Sequence, residues 1–340
     1  ASWLGLGGFD AHRTHEGGYH RVAGAFPVGA LADEIRSPAP DRIRALFVCA
    51  GNPVRSVASD LDAALDELDL LVGIDLYENE TTARADFLLP ATDMLERSDF
   101  ALAHTLLQPW PHAQFTEAVV APRGERRPEW RIFRDLAMAC RASLLSPTLC
   151  GVGARLPLTP DRVLGGLLRW GGKTTLGELR REPRGVALPA TAPGSFLGRR
   201  VPRGLVDLAP ADVVADLARL ETTVAQAPPG LALIGRRSRR RHNSWLPRTV
   251  RTETPPDLWL HPDDAVARGV AEGDEVLVTG ERGEVRVVAH LTTEMRAGVV
   301  SLPYGGPRGL DLNRLVATTL EPVSGQAVLS GHPVEVRRTE

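Results

Sequence analysis

The sequence predicts an α/β protein in which a parallel-sheet nucleotide-binding domain is followed by a connecting region and a β-barrel domain. Three observations predict this. From Leu46 to Glu96, apolar strand-like runs alternate with helical patterns, the order that builds a parallel sheet with a crevice at its carboxyl edge. From Val276 to Leu302, short runs rich in β-branched residues are separated by glycines, which suits a small closed barrel. The stretch between these blocks, Leu145 to Gly230, is rich in Pro, Gly and Arg and carries only two short helical patterns. The boundaries that follow are 1–145 for the α/β domain, 146–229 for the connecting segment and 230–340 for the barrel domain.

Each element has a local cause. Leu46, Phe47 and Val48 form an apolar run that stops at Gly51, Asn52 and Pro53, a composition that ends a strand in a tight turn. Leu61, Ala64, Leu65 and Leu68 recur at helical spacing, with Ser59 or Asp60 available to cap the first turn. A second strand, Leu70 to Ile74, ends at Asp75. Glu80, Thr81 and Thr82 open a short segment, and Asp86 precedes a third strand, Phe87 to Leu89, closed by Pro90. Leu136 to Cys140 reads as an apolar helix. Asp161 to Arg169 and Asp212 to Glu221 read as helices that Asp161 and Asp212, just after the breaks at Pro160 and Pro210, can cap. Leu176 to Val186 reads as a helix and then a turn. Pro262 to Ala267 starts a helix with Asp263 and Asp264 in its first turn. Val276–Thr279, Glu284–Ala289 and Val299–Leu302 read as strands, with Gly280, Gly283 and Gly298 at the turns.

Strand ends in an open α/β sheet are where nucleotides bind. Asn52 offers an amide and a carbonyl to a base or phosphate, and Asp75 can accept two parallel hydrogen bonds of the kind a guanine edge presents. The plainer reading, that both side chains only form Asx turns, stays open on spacing alone. Cys49, Cys140 and Cys150 have no CxxC spacing, so no iron–sulfur cluster is expected from this chain alone. Cys49 and Cys140 read instead as small core residues. His12, His15 and His20, with Glu16 between them, have no periodic strand or helix to organise a metal site and read as a loop.

Composition describes a soluble, globular, intracellular piece. At 340 residues with 43% hydrophobic content and a formal net charge of -2, the chain can bury two cores and shows no bias toward nucleic acid. No apolar stretch is long enough to span a bilayer. Lys173 is the one lysine among 40 basic residues, which fits a GC-rich genome better than a function.

Taken together, the residues resemble a known family. The Gly51–Asn52–Pro53 turn, Asp75 after the next strand, the Glu80–Asp86 segment, the Leu88–Pro90 strand end and Glu96 look like the third domain of the molybdopterin oxidoreductases. That family includes formate dehydrogenases, nitrate reductases and dimethyl sulfoxide reductase. The likeness continues through APRGERRPEWRIFRDLA, Ala121 to Ala137. A second block contains RRHNSWLPR from Arg240, the HPDDA helix start, the GDEV strand entry, the Tyr304–Gly306 loop, Asn313 and the Val323–Gly325 turn. It resembles the family's carboxyl-terminal dinucleotide-binding domain, a six-stranded double-psi barrel. The resemblance covers most of residues 22–145 and 228–340.

The resemblance implies molybdopterin guanine dinucleotide, with molybdenum or tungsten, as the cofactor of two-electron redox chemistry or oxygen-atom transfer. It implies cofactor contacts at Gly51, Asn52, Pro53, Asp75, Thr81 and Asp86 in the first block, and at His242, Asn243, Ser244, Tyr304, Gly305 and Asn313 in the second. No residue is assigned as catalytic or as a metal ligand. Arg236 to Arg241 holds five arginines in six positions, enough charge to neutralise a pyrophosphate, without singling one out. Because the chain enters at Ala1 in mid-pattern, it is expected to be the carboxyl-terminal half of a larger protein and inactive alone. An iron–sulfur cluster is then expected in the absent amino-terminal half. A small-molecule substrate and an electron-transfer partner are implied, with no nucleic acid and no membrane segment in this chain. The expected location is cytoplasmic, or periplasmic where the missing half carries a twin-arginine signal. The alternative is a non-catalytic electron-transfer scaffold or cofactor-binding subunit of the same fold, like the large iron–sulfur subunit of respiratory complex I.

Overall fold

The structure is a computed structural model that describes residues 9–22, 24–57, 60–102, 105, 110–140, 159–189, 208–225, 230–237, 257–304, 312–322 and 324–339. The chain forms two compact units, one made of residues 1–73, 77–88 and 207–340, the other of residues 74–76 and 89–206.

The first described element is an antiparallel hairpin of β1 (Phe9–Arg13) and β2 (His20–Val22), where a loop was expected around the three histidines. The turn explains the difference. Thr14 Oγ1 accepts from the Tyr19 N–H at 2.8 Å and donates to the Glu16 carbonyl at 2.7 Å. Gly17 and Gly18 supply the left-handed backbone at φ 72° and 63°. The hairpin is therefore specified by its turn chemistry and not by an apolar period. Among the described residues no group of three or more His, Cys, Asp or Glu side chains could hold a metal ion.

The next three strands, β3 (Ala45–Cys49), β4 (Leu70–Asp75) and β5 (Phe87–Pro90), form one sheet in that order. The Asp86 N–H donates to the Leu71 carbonyl at 2.8 Å, and the Ala91 N–H to the Asp75 carbonyl at 3.1 Å. Ile35, Val48, Leu61, Leu65 and Leu71 build the apolar core beside it. The pattern from Asp60 forms the helix Leu61–Ala64, which tightens into a 3-10 turn over Leu65–Glu67. Asp60 stands at the cap position but makes no side-chain cap, because its carboxylate pairs with Arg282. Ser59 lies outside the described residues. Strand alternation turns Val48 inward and Cys49 outward, so Cys49 is exposed and not a core residue.

In the second unit the helix Glu129–Ala139 buries Ile132 and Ala137. Cys140 falls at its C-cap, past the buried stripe, and is also exposed, which corrects the core assignment. The helix Pro160–Gly171 is capped by Thr159, which accepts from the Arg162 N–H, rather than by Asp161. Asp161 is drawn away by Ser98 Oγ at 2.8 Å and Arg180 Nη2 at 2.9 Å. Thr175 caps the helix Leu176–Arg181, and strands β6 (His112–Ala113) and β7 (Val186–Ala187) pair antiparallel. Ala113, Phe115 and Leu179 form the core of this region, with Leu164 and Leu168 packed on it. The helix Ala211–Ala225, in the first unit, contains the pattern expected from Asp212.

The rest of the first unit is a closed six-stranded barrel. Its strands are β8 (Leu231–Arg236), β9 (Asp257–Leu260), β10 (Glu275–Thr279), β11 (Glu284–Leu291), β12 (Val299–Pro303) and β13 (His332–Arg338), in the spatial order β10-β11-β9-β12-β8-β13. Two pairs, β11 with β9 and β12 with β8, are parallel, while the others are antiparallel. Val285, Val287 and Ala289 alternate with outward residues along β11, the period-two pattern of a strand buried on one face. Leu233, Leu258, Leu260, Val276, Val278 and Val300 are fully buried in the interior. The helix Pro262–Val266 has Asp263 and Asp264 in its first turn as expected, with His261 as its cap. Among the described residues no helix is long and apolar enough to cross a membrane.

Glu96 carries a load in the second unit that its position in a short turn does not advertise. Its carboxylate accepts from the Asp93 N–H at 3.0 Å, the Arg123 N–H at 3.3 Å and Arg126 Nη1 at 2.7 Å, and Asp93 caps the same turn reciprocally. The Asp93 N–H above all, then Arg123 and Arg126, hold the Glu96 carboxyl below the usual glutamate range. A depressed folded-state value means that this stabilisation is complete above the ordinary glutamate range and is lost as pH falls through the lowered value. Urea denaturation across the acid range should therefore show Glu96→Gln less stable than wild type at neutral pH, with the two curves converging as the solution is acidified.

Candidate functional site

The site grows from the turn that ends β3. Pro53 opens the short helix Pro53–Ser56, its fixed φ suited to a first helical position. Asn52 precedes it, and its carbonyl accepts from the N–H groups of Arg55 and Ser56, both at 3.0 Å. The Asn52 side chain does not close an Asx turn. It is buried, its Nδ2 donating to Glu80 Oε2 at 2.7 Å and its Oδ1 accepting from Thr81 Oγ1 at 2.8 Å. Thr81 Oγ1 also accepts from the Val54 N–H at 3.2 Å, which satisfies a donor in the first turn of that helix.

The loop after β4 supplies these partners. Asn79 Oδ1 accepts from the N–H groups of Thr81 and Thr82, each at 3.0 Å, and Asn79 Nδ2 donates to the Gly51 carbonyl at 3.3 Å. Arg55 lies 3.6 Å from Glu80, the side chains only 14% and 15% exposed. From the barrel, Asn313 Nδ2 donates to the main-chain carbonyl of Arg55.

The structure thus brings Gly51, Asn52, Thr81 and Asn313 to one hydrogen-bonded cluster around the short helix that Pro53 opens. Asp75 ends β4, half-buried, with Oδ1 accepting from the Leu76 N–H at 2.6 Å. Asp86 takes part in the hydrogen bonding of the sheet. Its Oδ2 accepts from the Leu71 N–H at 2.7 Å while its own N–H donates to the Leu71 carbonyl, which pins the start of β5 to β4. His242, Asn243, Ser244 and Gly305 lie outside the described residues. Arg55, Asn79 and Glu80 were not selected from sequence. The signal that could have found the last two is the run of five polar residues, Glu78 to Thr82, shortly after a strand end.

In the barrel, Tyr304 closes β12 and its N–H donates to the Arg236 carbonyl at 2.9 Å. Its ring lies across Gly235, where any Cβ would collide with ring carbons. Arg236, the first of the arginine run, is a structural residue here. Its guanidinium donates to the carbonyls of Ser301 at 2.6 Å and Asp257 at 2.9 Å, pairs with the Asp257 carboxylate, and stacks 4.4 Å from the centre of the Trp259 ring. Burial pulls its pKa below the usual arginine range, against the opposing effect of Asp257. Trp259 Nε1 donates to the same carboxylate at 2.7 Å.

Residues 231–331, which carry five of the six barrel strands and the Asn313 that bonds the strand-end turn, match the molydopterin dinucleotide binding domain. Residues 10–139 match the molybdopterin oxidoreductase domain. The chain therefore carries the molybdopterin oxidoreductase and molydopterin dinucleotide-binding domains, with homologues in the dimethyl sulfoxide reductase family. It is 26% identical to the thiosulfate reductase molybdopterin-containing subunit PhsA of Salmonella typhimurium, over 90% of this chain and 45% of that protein. It is 27% identical to a putative dimethyl sulfoxide reductase catalytic subunit from Halobacterium salinarum, over 71% of this chain and 30% of that protein. Among solved structures, acetylene hydratase from Pelobacter acetylenicus shares the fold, with a TM-score of 0.68 at 19% identity, over 94% of this chain and 47% of that one. The chain spans less than half the length of the curated relatives it matches.

The contact between Gly235 and Tyr304 gives a direct test of the barrel's side of the site. Gly235→Ala should destabilise the protein by about 1–3 kcal/mol, the usual cost of overpacking. Adding Tyr304→Ala to that variant should restore part of the loss, as read from the denaturant midpoint.

Proposed function

We propose that this chain provides part of the cofactor cradle of a molybdopterin guanine dinucleotide-dependent oxidoreductase, with 1–145 and 230–340 as its two nucleotide-facing domains. The observation that carries this reading is that Asn52 and Thr81, buried together in the matched oxidoreductase region, hold the turn whose Arg55 carbonyl is bonded by half-buried Asn313 of the matched dinucleotide-binding region. The donor set suits the organic part of the cofactor. Amide, hydroxyl and carboxylate groups at strand ends match a purine base and its sugar, whereas among the described residues there is no His, Cys or carboxylate cluster for the metal. Asp75 would accept from the guanine edge, and the sheet would run parallel with its carboxyl ends at the ligand. Tyr304 and Gly305, with His242, Asn243 and Ser244, would close over the pterin and phosphates.

When bound, the metal–pterin centre supplies the two-electron redox or oxygen-atom chemistry, on molybdenum or tungsten. The residues of this chain bind and orient it, a division of labour common to cofactor enzymes. Electrons would leave through an iron–sulfur cluster carried by polypeptide beyond this chain, toward a separate electron-transfer partner. The curated relatives are named for the reduction of thiosulfate and of dimethyl sulfoxide, which supports a small sulfur- or oxygen-containing substrate.

Purified full-length protein should release guanine nucleotide and an oxidised, fluorescent pterin on acid hydrolysis, quantified by chromatography. Metal analysis of the same sample should find molybdenum or tungsten. Asp75→Ala should lower the nucleotide content about ten- to hundredfold, as expected when a charge-assisted hydrogen-bond pair worth about 1.5–3 kcal/mol is removed. A full-length protein without pterin would favour the scaffold reading instead.

A further inference from the structure

Glu80 makes two of the contacts that hold the Gly51–Ser56 turn. Oε2 accepts from Asn52 Nδ2 at 2.7 Å, and Oε1 lies 3.6 Å from Arg55 Nη1. Both side chains of the ion pair are largely withdrawn from water, at 15% and 14% exposure. An ion pair so placed is a weak way to stabilise a fold, because desolvation offsets much of its attraction. It is an effective way to select one arrangement. With a carboxylate acceptor at one end and the Thr81 hydroxyl at the other, the Asn52 amide can be satisfied in only one orientation. The Arg55 main chain is held at the same time by Asn313.

We propose that Glu80 is a positioning residue: through Asn52 and Arg55 it fixes the Gly51–Ser56 turn in the geometry that receives the nucleotide portion of the cofactor. This rests on the cofactor reading above. The near-isosteric Glu80→Gln probes it sharply. A glutamine amide that accepts from Asn52 must turn its NH2 toward the guanidinium of Arg55, donor against donor. The opposite orientation sets NH2 against the Asn52 NH2 and forces that amide to flip away from Thr81. Either way the turn loses one of its constraints while the packing volume is kept.

The experiment compares full-length wild type, Glu80→Gln and the double variant Glu80→Gln/Arg55→Gln. It measures guanine nucleotide released per polypeptide, with far-UV circular dichroism and gel filtration as checks on folding. Glu80→Gln should fold and lose nucleotide about tenfold, the size of effect that one charged contact controls. The double variant should recover part of it, because the donor conflict is gone although the ion pair stays lost. If wild type holds nucleotide and Glu80→Gln keeps it within about twofold, the positioning role is overturned and the cofactor reading stands. If the double variant loses as much as the single, misdirected hydrogen bonds at Asn52 and Arg55 are not what displaces the turn, which also overturns the proposal. A wild type that releases no guanine nucleotide removes the cofactor reading, and this proposal with it. Should Glu80→Gln fail to fold, Glu80→Asp is read instead: it keeps the charge beside Arg55 but is one methylene too short for Asn52, and the same loss is expected.

Discussion

Six short strands have no free edge in this barrel because the last of them, β13, pairs with β10 on one side and β8 on the other. Closure satisfies edge N–H and C=O groups that would otherwise face water or another chain. It also aims the inward residues of all six strands at one another, so Leu233, Leu258, Leu260, Val276, Val278 and Val300 can be excluded from solvent together. The polar positions around the barrel depend on that rigidity. Arg236 can bridge β8 to β9 and β12 because these three strands are neighbours in the sheet, which brings Ser301 and Asp257 beside its guanidinium. Asn313 can reach the Arg55 carbonyl because the 3-10 turn that carries it is anchored by buried Leu312 and Leu315.

The α/β part builds its site by another route. Its strands are short, and the turn after β3 has no long helix behind it to hold its shape. The loop after β4 takes that role, with Asn79, Glu80 and Thr81 each gripping a different part of the turn. Buried polar networks of this kind are costly when incomplete and strongly directional when satisfied. The Asn52 amide has a partner at both ends, so its contribution to a ligand is made through the shape of the turn as much as through its own side chain.

Much of the architecture was legible from local patterns. Runs rich in β-branched residues located β10, β11 and β12, and the strands ending at Asp75 and Pro90 stand where their composition placed them. The misreadings share a cause. Cys49 and Cys140 were assigned to the core by residue type, whereas strand phase and the end of a helix put them outside. Asp60 and Asp161 look like caps, yet Arg282 and the pair Ser98 and Arg180 claim their carboxylates. Those partners lie 222, 63 and 19 residues away in sequence, a range at which spacing carries no information. The histidine hairpin was missed because its signal is a Thr–Gly–Gly turn and not a hydrophobic period.

By itself the sequence determined which segments become strands and helices, where the chain turns, and which family's pattern the turns belong to, because these follow from interactions among near neighbours. The tertiary structure decided which polar side chains meet. It committed Asp86 to Leu71, joined Asn52 to Thr81 and Glu80, and brought Asn313 to Arg55. A side chain's role is set by the partner that satisfies it once it is buried. That partner is chosen by the packing of distant elements, which no local pattern encodes.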